Sequence, residues 1–201
     1  MMIRRYPHTA GPFLRYRRRL IRKRLLWRAF RSRRDLVILS DRRDAIDSRT
    51  ILGFATLRNE ALRLPFFLEH YRKLGVGHFL LVDNGSTDGS TELLRDQTDV
   101  TLWHTTASYK ASRFGMDWLN WLASRHAPGH WVVMVDADEI LVYPDWERRR
   151  LPQLTAWLES QGQRMMGALM LDMYPKGPPD DQDYAPGQNP VEILHWFDAH
   201  G

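Results

Sequence analysis

From residue 51 onward, short apolar runs alternate with longer segments of helical spacing. Residues 51–57 are apolar and end at Arg58, which predicts a buried strand. Residues 59–74 place Leu62, Phe66, Phe67, His70, Tyr71 and Leu74 at helical spacing; Pro65 fits only near the helix start, and Gly75 and Gly77 end it. Residues 78–83 form a second predicted strand, 84–89 a turn and 90–97 a short helix. A third strand is expected at 100–104. A helix follows at 109–125, with Phe114, Trp118, Leu119 and Leu122 on its apolar side. Pro128-Gly129 interrupts it before a fourth strand at 131–135. A helix at 151–161, a strand at 166–173 and a loop at 175–190 complete the pattern.

Strands alternating with helices imply an α/β fold, a mostly parallel sheet flanked by helices. Right-handed crossovers bring the C-terminal ends of parallel strands to one edge, where open α/β sheets bind ligands. Polar residues collect at that predicted edge. Arg58-Asn59-Glu60 follows the first strand, Asp83-Asn84 the second, and Asp136-Ala137-Asp138-Glu139 the fourth.

Charge divides the chain further. Residues 1–34 hold 13 of the 29 Lys and Arg and no Asp or Glu, leaving 16 basic against 24 acidic residues, a net of −8, in the rest. The reading is therefore a basic N-terminal arm (1–34), a polar linker (35–49) that includes the short apolar stretch 36–39, and a globular domain (50–201). The end of that domain reads as incomplete. In the arm, Leu14, Ile21 and Leu25 can share a helix face amid arginines. This suits either an interfacial helix on anionic lipid or a poorly ordered cationic tail. No run approaches the roughly 20 apolar residues of a membrane span, and no secretory leader pattern is evident. The expectation is a cytoplasmic protein in peripheral contact with the inner face of the membrane. The absence of cysteine removes disulfides and thiolate metal sites, leaving oxygen or imidazole ligands.

Asp136-Ala137-Asp138-Glu139 is the sharpest chemical signal. Three acids at the end of an apolar strand repel one another unless a cation intervenes. Asp136 and Asp138 are candidate ligands for Mn2+ or Mg2+, although a solvated acidic turn would read the same way. Asp83 is a candidate acceptor for a base or ribose. Asn59 and Glu60 are placed to line a nucleoside pocket, and Glu60 also suits a first helical turn. Lys110 and Arg113, three apart at a predicted helix start, would face an anion such as a diphosphate. The histidines lack metal-ligand spacing. No GxSxG, P-loop or GxGxxG motif is present, so serine hydrolase, ATPase and Rossmann dehydrogenase readings lack their marks.

Taken in order, Arg58-Asn59-Glu60, the segment 67–76 (FLEHYRKLGV), Val82-Asp83-Asn84-Gly85-Ser86-Thr87-Asp88 and Val135-Asp136-Ala137-Asp138-Glu139 resemble the glycosyltransferase family 2-like group, with its GT-A fold. The resemblance covers residues 50–175. It implies transfer of a sugar from a nucleotide-diphospho-sugar, a uridine sugar in most members, to a hydroxyl of a glycan, lipid-linked sugar or surface polymer. Asn59, Glu60 and Asp83 would then bind the nucleoside. Asp136 and Asp138 would match the DxD motif, with Asp138 the more direct metal ligand. Lys110 and Arg113 match positions facing the donor more loosely. Inverting members also need a carboxylate base in the acceptor half. Asp172, Asp180, Asp181, Asp183 and Asp198 are available, none in a clear motif, so the catalytic residue is unassigned. Two other readings stay open: a metal-dependent phosphoryl-transfer enzyme, and a non-catalytic protein binding an anionic membrane or polymer through the arm. Specific nucleic-acid binding is not expected.

Overall fold

The computed structural model describes residues 11–175 and 184–198. Five strands form one sheet: β1 (Val37–Ser40), β2 (Leu52–Leu57), β3 (His78–Asp83), β4 (Val100–His104) and β5 (Val132–Met134). Their order is β1-β4-β3-β2-β5. β2 runs parallel to β3 and to β5, β3 runs parallel to β4, and β1 lies antiparallel on the edge beside β4. Five helices accompany them: α1 (Pro12–Ser32), α2 (Leu64–Leu74), α3 (Ser90–Arg95), α4 (Met116–His126) and α5 (Leu151–Ser160). The expected α/β architecture, a mostly parallel sheet flanked by helices, is therefore present.

Strand alternation builds two cores. On β2, Ala55 and Leu57 face one side with Phe79 and Leu81 of β3; Leu52 and Phe54 face the other with Leu80 and Val82. The first side receives Leu64, Phe67, Leu68 and Tyr71 of α2 and Leu94 of α3; the second receives Trp118, Leu119 and Leu122 of α4. The reason is topological. The chain steps from β2 to β3 to β4 in one direction, then returns past β2 to β5. Right-handed crossovers in opposite directions put their helices on opposite faces. The reversal leaves a switch point outside the ends of β2 and β5.

Several expected elements differ. The linker at 35–49 contains β1. Three of its four residues, Val37, Ile38 and Ser40, pair with β4 across more than sixty positions of sequence, a partner no local pattern reveals. The helix expected at 109–125 begins only at Met116, because Arg113, Phe114 and Gly115 adopt positive φ of 55°, 56° and 78°. The helix expected from 59 begins at Leu64, and Asn59 itself has φ 57°. The expected strand at 166–173 does not form. No strand pairs with it among the described residues, and Leu169 and Met170 are exposed. In the arm, residues 12–32 form α1, and its end packs on α4: Ala29 is buried and Phe30 meets Trp121 edge-on at 5.7 Å. The loop expected at 175–190 lies partly outside the described residues. Among the described residues, no helix is long and apolar enough to cross a membrane.

Candidate functional site

The ends of β2, β3 and β5 converge on a cleft of about 290 Å3 at the switch point. Arg58 and Glu60 line it after β2, Asn84 after β3, Tyr109 after β4, and Asp136 and Asp138 after β5. Three expected site residues, Glu60, Asp136 and Asp138, thus meet although the chain separates Glu60 widely from the two acids.

The acidic turn is built locally and braced from below. Glu139 N–H donates to the Asp136 carbonyl at 3.1 Å, and Asp136 N–H donates to Glu139 Oε2 at 3.0 Å. Ala137 packs into the first core, 7% exposed, so a small apolar residue between the acids ties the turn down while Asp136 and Asp138 stay exposed. Tyr71 of α2 supplies the brace. Its buried hydroxyl donates to the Glu139 carbonyl at 3.1 Å and accepts from Leu141 N–H at 3.1 Å. His70 contacts the Leu141 carbonyl through Nε2 at 3.2 Å.

No ion pair among the described residues involves Asp136, Asp138 or Glu139. Burial, followed by the charges of Glu139 and Asp138, pushes the Asp136 carboxyl up from its ordinary value. Burial and the charges of Asp136 and Asp138 likewise push the Tyr109 phenol up. The site therefore carries an excess of negative charge, and the observed donor set of two exposed carboxylates suits a hard divalent cation. Among the described residues, no three His, Asp or Glu side chains converge as a closed cage. Two carboxylates can hold such a cation while water and phosphate oxygens fill its remaining positions.

Asn59 and Asp83 hold the cleft wall together. Asn59 N–H donates to Ser86 Oγ at 2.9 Å, and Asn59 Oδ1 accepts from Thr87 N–H at 2.8 Å. Glu60 N–H donates to Ser90 Oγ at 2.9 Å, and Ala61 N–H to Asp88 Oδ2 at 2.9 Å. The loop after β2 is thus laced to the loop after β3. Asp83 is fully buried beneath it and does not line the cleft. Its Oδ1 accepts from Ser86 N–H at 3.0 Å and Ser86 Oγ at 2.5 Å; Oδ2 accepts from Thr91 Oγ1 at 2.7 Å and contacts His104 Nδ1 at 3.2 Å. Burial pushes this carboxyl up, but the bonds from Ser86, Thr91 and His104 outweigh it and hold the net value below the usual range.

Lys110 and Arg113 do not share a helix start, since α4 begins after both. Lys110 is exposed and does not line the cleft. Arg113 turns back to Asp117 at 2.7 Å, and Asp117 also pairs with Arg28 of α1 at 3.0 Å. Glu60, which lines the cleft, pairs with Arg63 at 2.8 Å. Of the candidate bases, Asp198 accepts from the Tyr174 hydroxyl at 2.9 Å and Asp172 is exposed; Asp180, Asp181 and Asp183 lie outside the described residues.

Sequence reasoning missed Thr56 and Tyr109. Both line the cleft, and the buried Thr56 hydroxyl has no hydrogen-bond partner. Gly115 lies against it. A Cβ there would sit 2.6 Å from Thr56 Oγ1, and its φ of 78° is itself costly for other residues. The detectable signal was the lone hydroxyl next to the end of an otherwise apolar strand. No protein-family model matches the chain, and no curated protein matches it significantly.

Proposed function

We propose that the chain is a family 2-like glycosyltransferase of GT-A type, transferring a sugar from a uridine-diphosphate sugar to a hydroxyl of a glycan, lipid-linked or surface-polymer acceptor. The observation that carries this reading is the pair of unpaired carboxylates, Asp136 and Asp138, in a cleft at the switch point of the sheet. Among the described residues Arg58 is the only cation lining the cleft, which leaves much of the acids' charge to be neutralised by something else. This favours a bound metal–diphosphate over a phosphate held by basic side chains.

Asp138 and Asp136 would hold Mn2+ or Mg2+, which supplies charge neutralisation for the departing diphosphate. The chain's own residues do the rest. Tyr71 and Ala137 fix the acidic turn, so the carboxylates need little rearrangement when donor arrives. Asn59 and Asp83 order the loops against which the nucleoside would lie, and Glu60 presents a carboxylate to it. Tyr109 and the unpartnered Thr56 hydroxyl offer hydrogen bonds on the same wall. Lys110 is close in sequence to Tyr109 and stays exposed to meet an anion arriving from solvent. The acceptor's proton goes to a carboxylate base that stays unassigned. The protein would work in the cytoplasm, at the inner face of the membrane.

The test is release of uridine diphosphate from a panel of uridine-diphosphate sugars with Mn2+, comparing parent and Asp138→Ala. Metal-dependent release, reduced at least about a hundredfold in the variant, is expected for loss of transition-state charge stabilisation. Equal release from both proteins would refute the assignment.

A further inference from the structure

Helix α1 belongs to the core only at its end. Arg28 reaches Asp117 and donates to the Ala111 carbonyl at 2.8 Å, Ala29 is buried, and Phe30 and Arg33 meet Trp121. Before that point the helix is exposed except for half-buried Leu25: Phe13, Tyr16, Leu20 and Trp27 show 79%, 61%, 49% and 57% of their surface. Their spacing puts all four on one helical face. Pro12–Ser32 carries nine Lys and Arg and no acid; Arg17, Lys23 and Arg24 flank that stripe, while exposed Leu14 and Ile21 lie on another face.

The order of contacts gives the direction of the free part. Phe30 meets α4 at Trp121, whereas Arg28 meets it at Asp117, one turn earlier. Residues before Arg28 therefore run off the N-terminal end of α4. That end follows the loop carrying Tyr109, at the sheet edge where the cleft opens. The sixteen residues from 12 to 27 would extend about 24 Å at the helical rise. Asp117, gripped by Arg28 and by Arg113, ties the end of the helix to α4.

We infer that the free part of α1 docks on an anionic lipid surface, with Phe13, Tyr16, Leu20 and Trp27 entering the headgroup–acyl boundary and the surrounding arginines pairing with phosphates. Charge selects this occupant. A helix bearing only cations repels a second copy of itself, and an apolar stripe of Phe, Leu and Trp suits acyl chains. Because α1 projects on the cleft's side of the sheet, docking holds the cleft close to the bilayer surface. If the glycosyl-transfer reading holds, the acceptor class is then a lipid-linked hydroxyl; that clause alone rests on it.

The test is flotation of the full chain with vesicles of phosphatidylcholine, or of phosphatidylcholine mixed with phosphatidylglycerol, at low and high salt. Parent protein should float only with the mixed vesicles. Each Lys or Arg near an anionic surface contributes about fivefold in partitioning. The exposed triple variant Arg17→Gln/Lys23→Gln/Arg24→Gln, at positions that flank the stripe, should bind about a hundredfold more weakly with an unchanged melting temperature. Phe13→Ser/Trp27→Ser should keep low-salt binding and lose the salt-resistant remainder. No flotation with mixed vesicles, or equal flotation with both, would overturn the inference. So would a dimer that Trp27→Ser dissolves, or duplex DNA competing the protein off the vesicles at equal charge concentration. Flotation without uridine-diphosphate-sugar binding in vesicle-free solution would keep the membrane site and remove the lipid-linked acceptor. Donor binding without flotation would remove the membrane site alone.

Discussion

Replacing Tyr71 with phenylalanine removes one oxygen from beneath the acidic turn and leaves the ring packed on Phe67, 4.9 Å between centroids. That oxygen makes two hydrogen bonds, to the Glu139 carbonyl and from Leu141 N–H, both at 3.1 Å. A typical net contribution is about 1 kcal/mol per bond, and a backbone group left dry costs at least as much. Both bonds are part-buried, so the expected loss is about 2 kcal/mol. For a chain of this size that lowers the melting temperature by roughly 4–8 °C. Urea unfolding should show a lower midpoint at unchanged slope, since the exposed area on unfolding is the same. The turn that presents Asp136 and Asp138 should loosen as well, weakening Mn2+-dependent donor binding beyond what stability alone explains. A Tyr71→Phe protein within about 0.5 kcal/mol of the parent, the range of inconsequential substitutions, would refute the claim that this hydroxyl braces the site.

Asp83→Asn should cost about 2–4 kcal/mol in urea unfolding, because it withdraws a charged acceptor from Ser86, Thr91 and His104 in a buried position. Asp83 is held below its ordinary value, so its stabilisation is present above the normal carboxylate range and lost as pH falls through the lowered one; the variant should show a flatter acid limb. Asp136 has the opposite sign. Its raised carboxyl favours the fold at low pH and opposes it once ionised, so Asp136→Asn in chelator should match or exceed the parent's melting temperature at pH 7 while losing the stabilisation by Mn2+. Gly115→Ala should destabilise by at least about 1–3 kcal/mol in the same assay, through its positive φ and the close Thr56 hydroxyl. Burial and the charges of Arg43 and Arg125 lower His126 to about 4, so the parent should lose stability as pH falls from 6.5 toward 4, and His126→Gln should reduce that loss.

Where residues act locally, the sequence was readable. Strands β3 and β4 coincide with the apolar runs that predicted them, and β2 and β5 differ only at their ends. The turn after β3 follows its Asn-Gly and Asp-Gly signals, and Pro65 marks the first turn of α2. Where a residue's role depends on a distant partner, the pattern was silent. Leu36–Leu39 looked apolar, but the antiparallel partner that makes β1 a strand is β4. Arg113 looked like a donor-facing cation, but it pairs with Asp117, which Arg28 of α1 also grips. Leu169 and Met170 are strand-like residues without a strand to pair with among the described residues. The candidate site divides along the same line. The acids were visible as a motif, whereas Tyr71 beneath them and Thr56 beside them are visible only through contacts made across the fold.

The central claim is that Asp136 and Asp138 hold a cation that grips the donor's diphosphate. Calorimetric titration of a uridine-diphosphate sugar into the full chain tests it most directly, with Mn2+, with chelator, and with Asp138→Ala. The account predicts binding that requires Mn2+ and disappears in the variant, which unfolds at the same urea concentration as the parent in chelator. Donor binding that persists in chelator or in Asp138→Ala, or no binding to a folded parent under any condition, would contradict it.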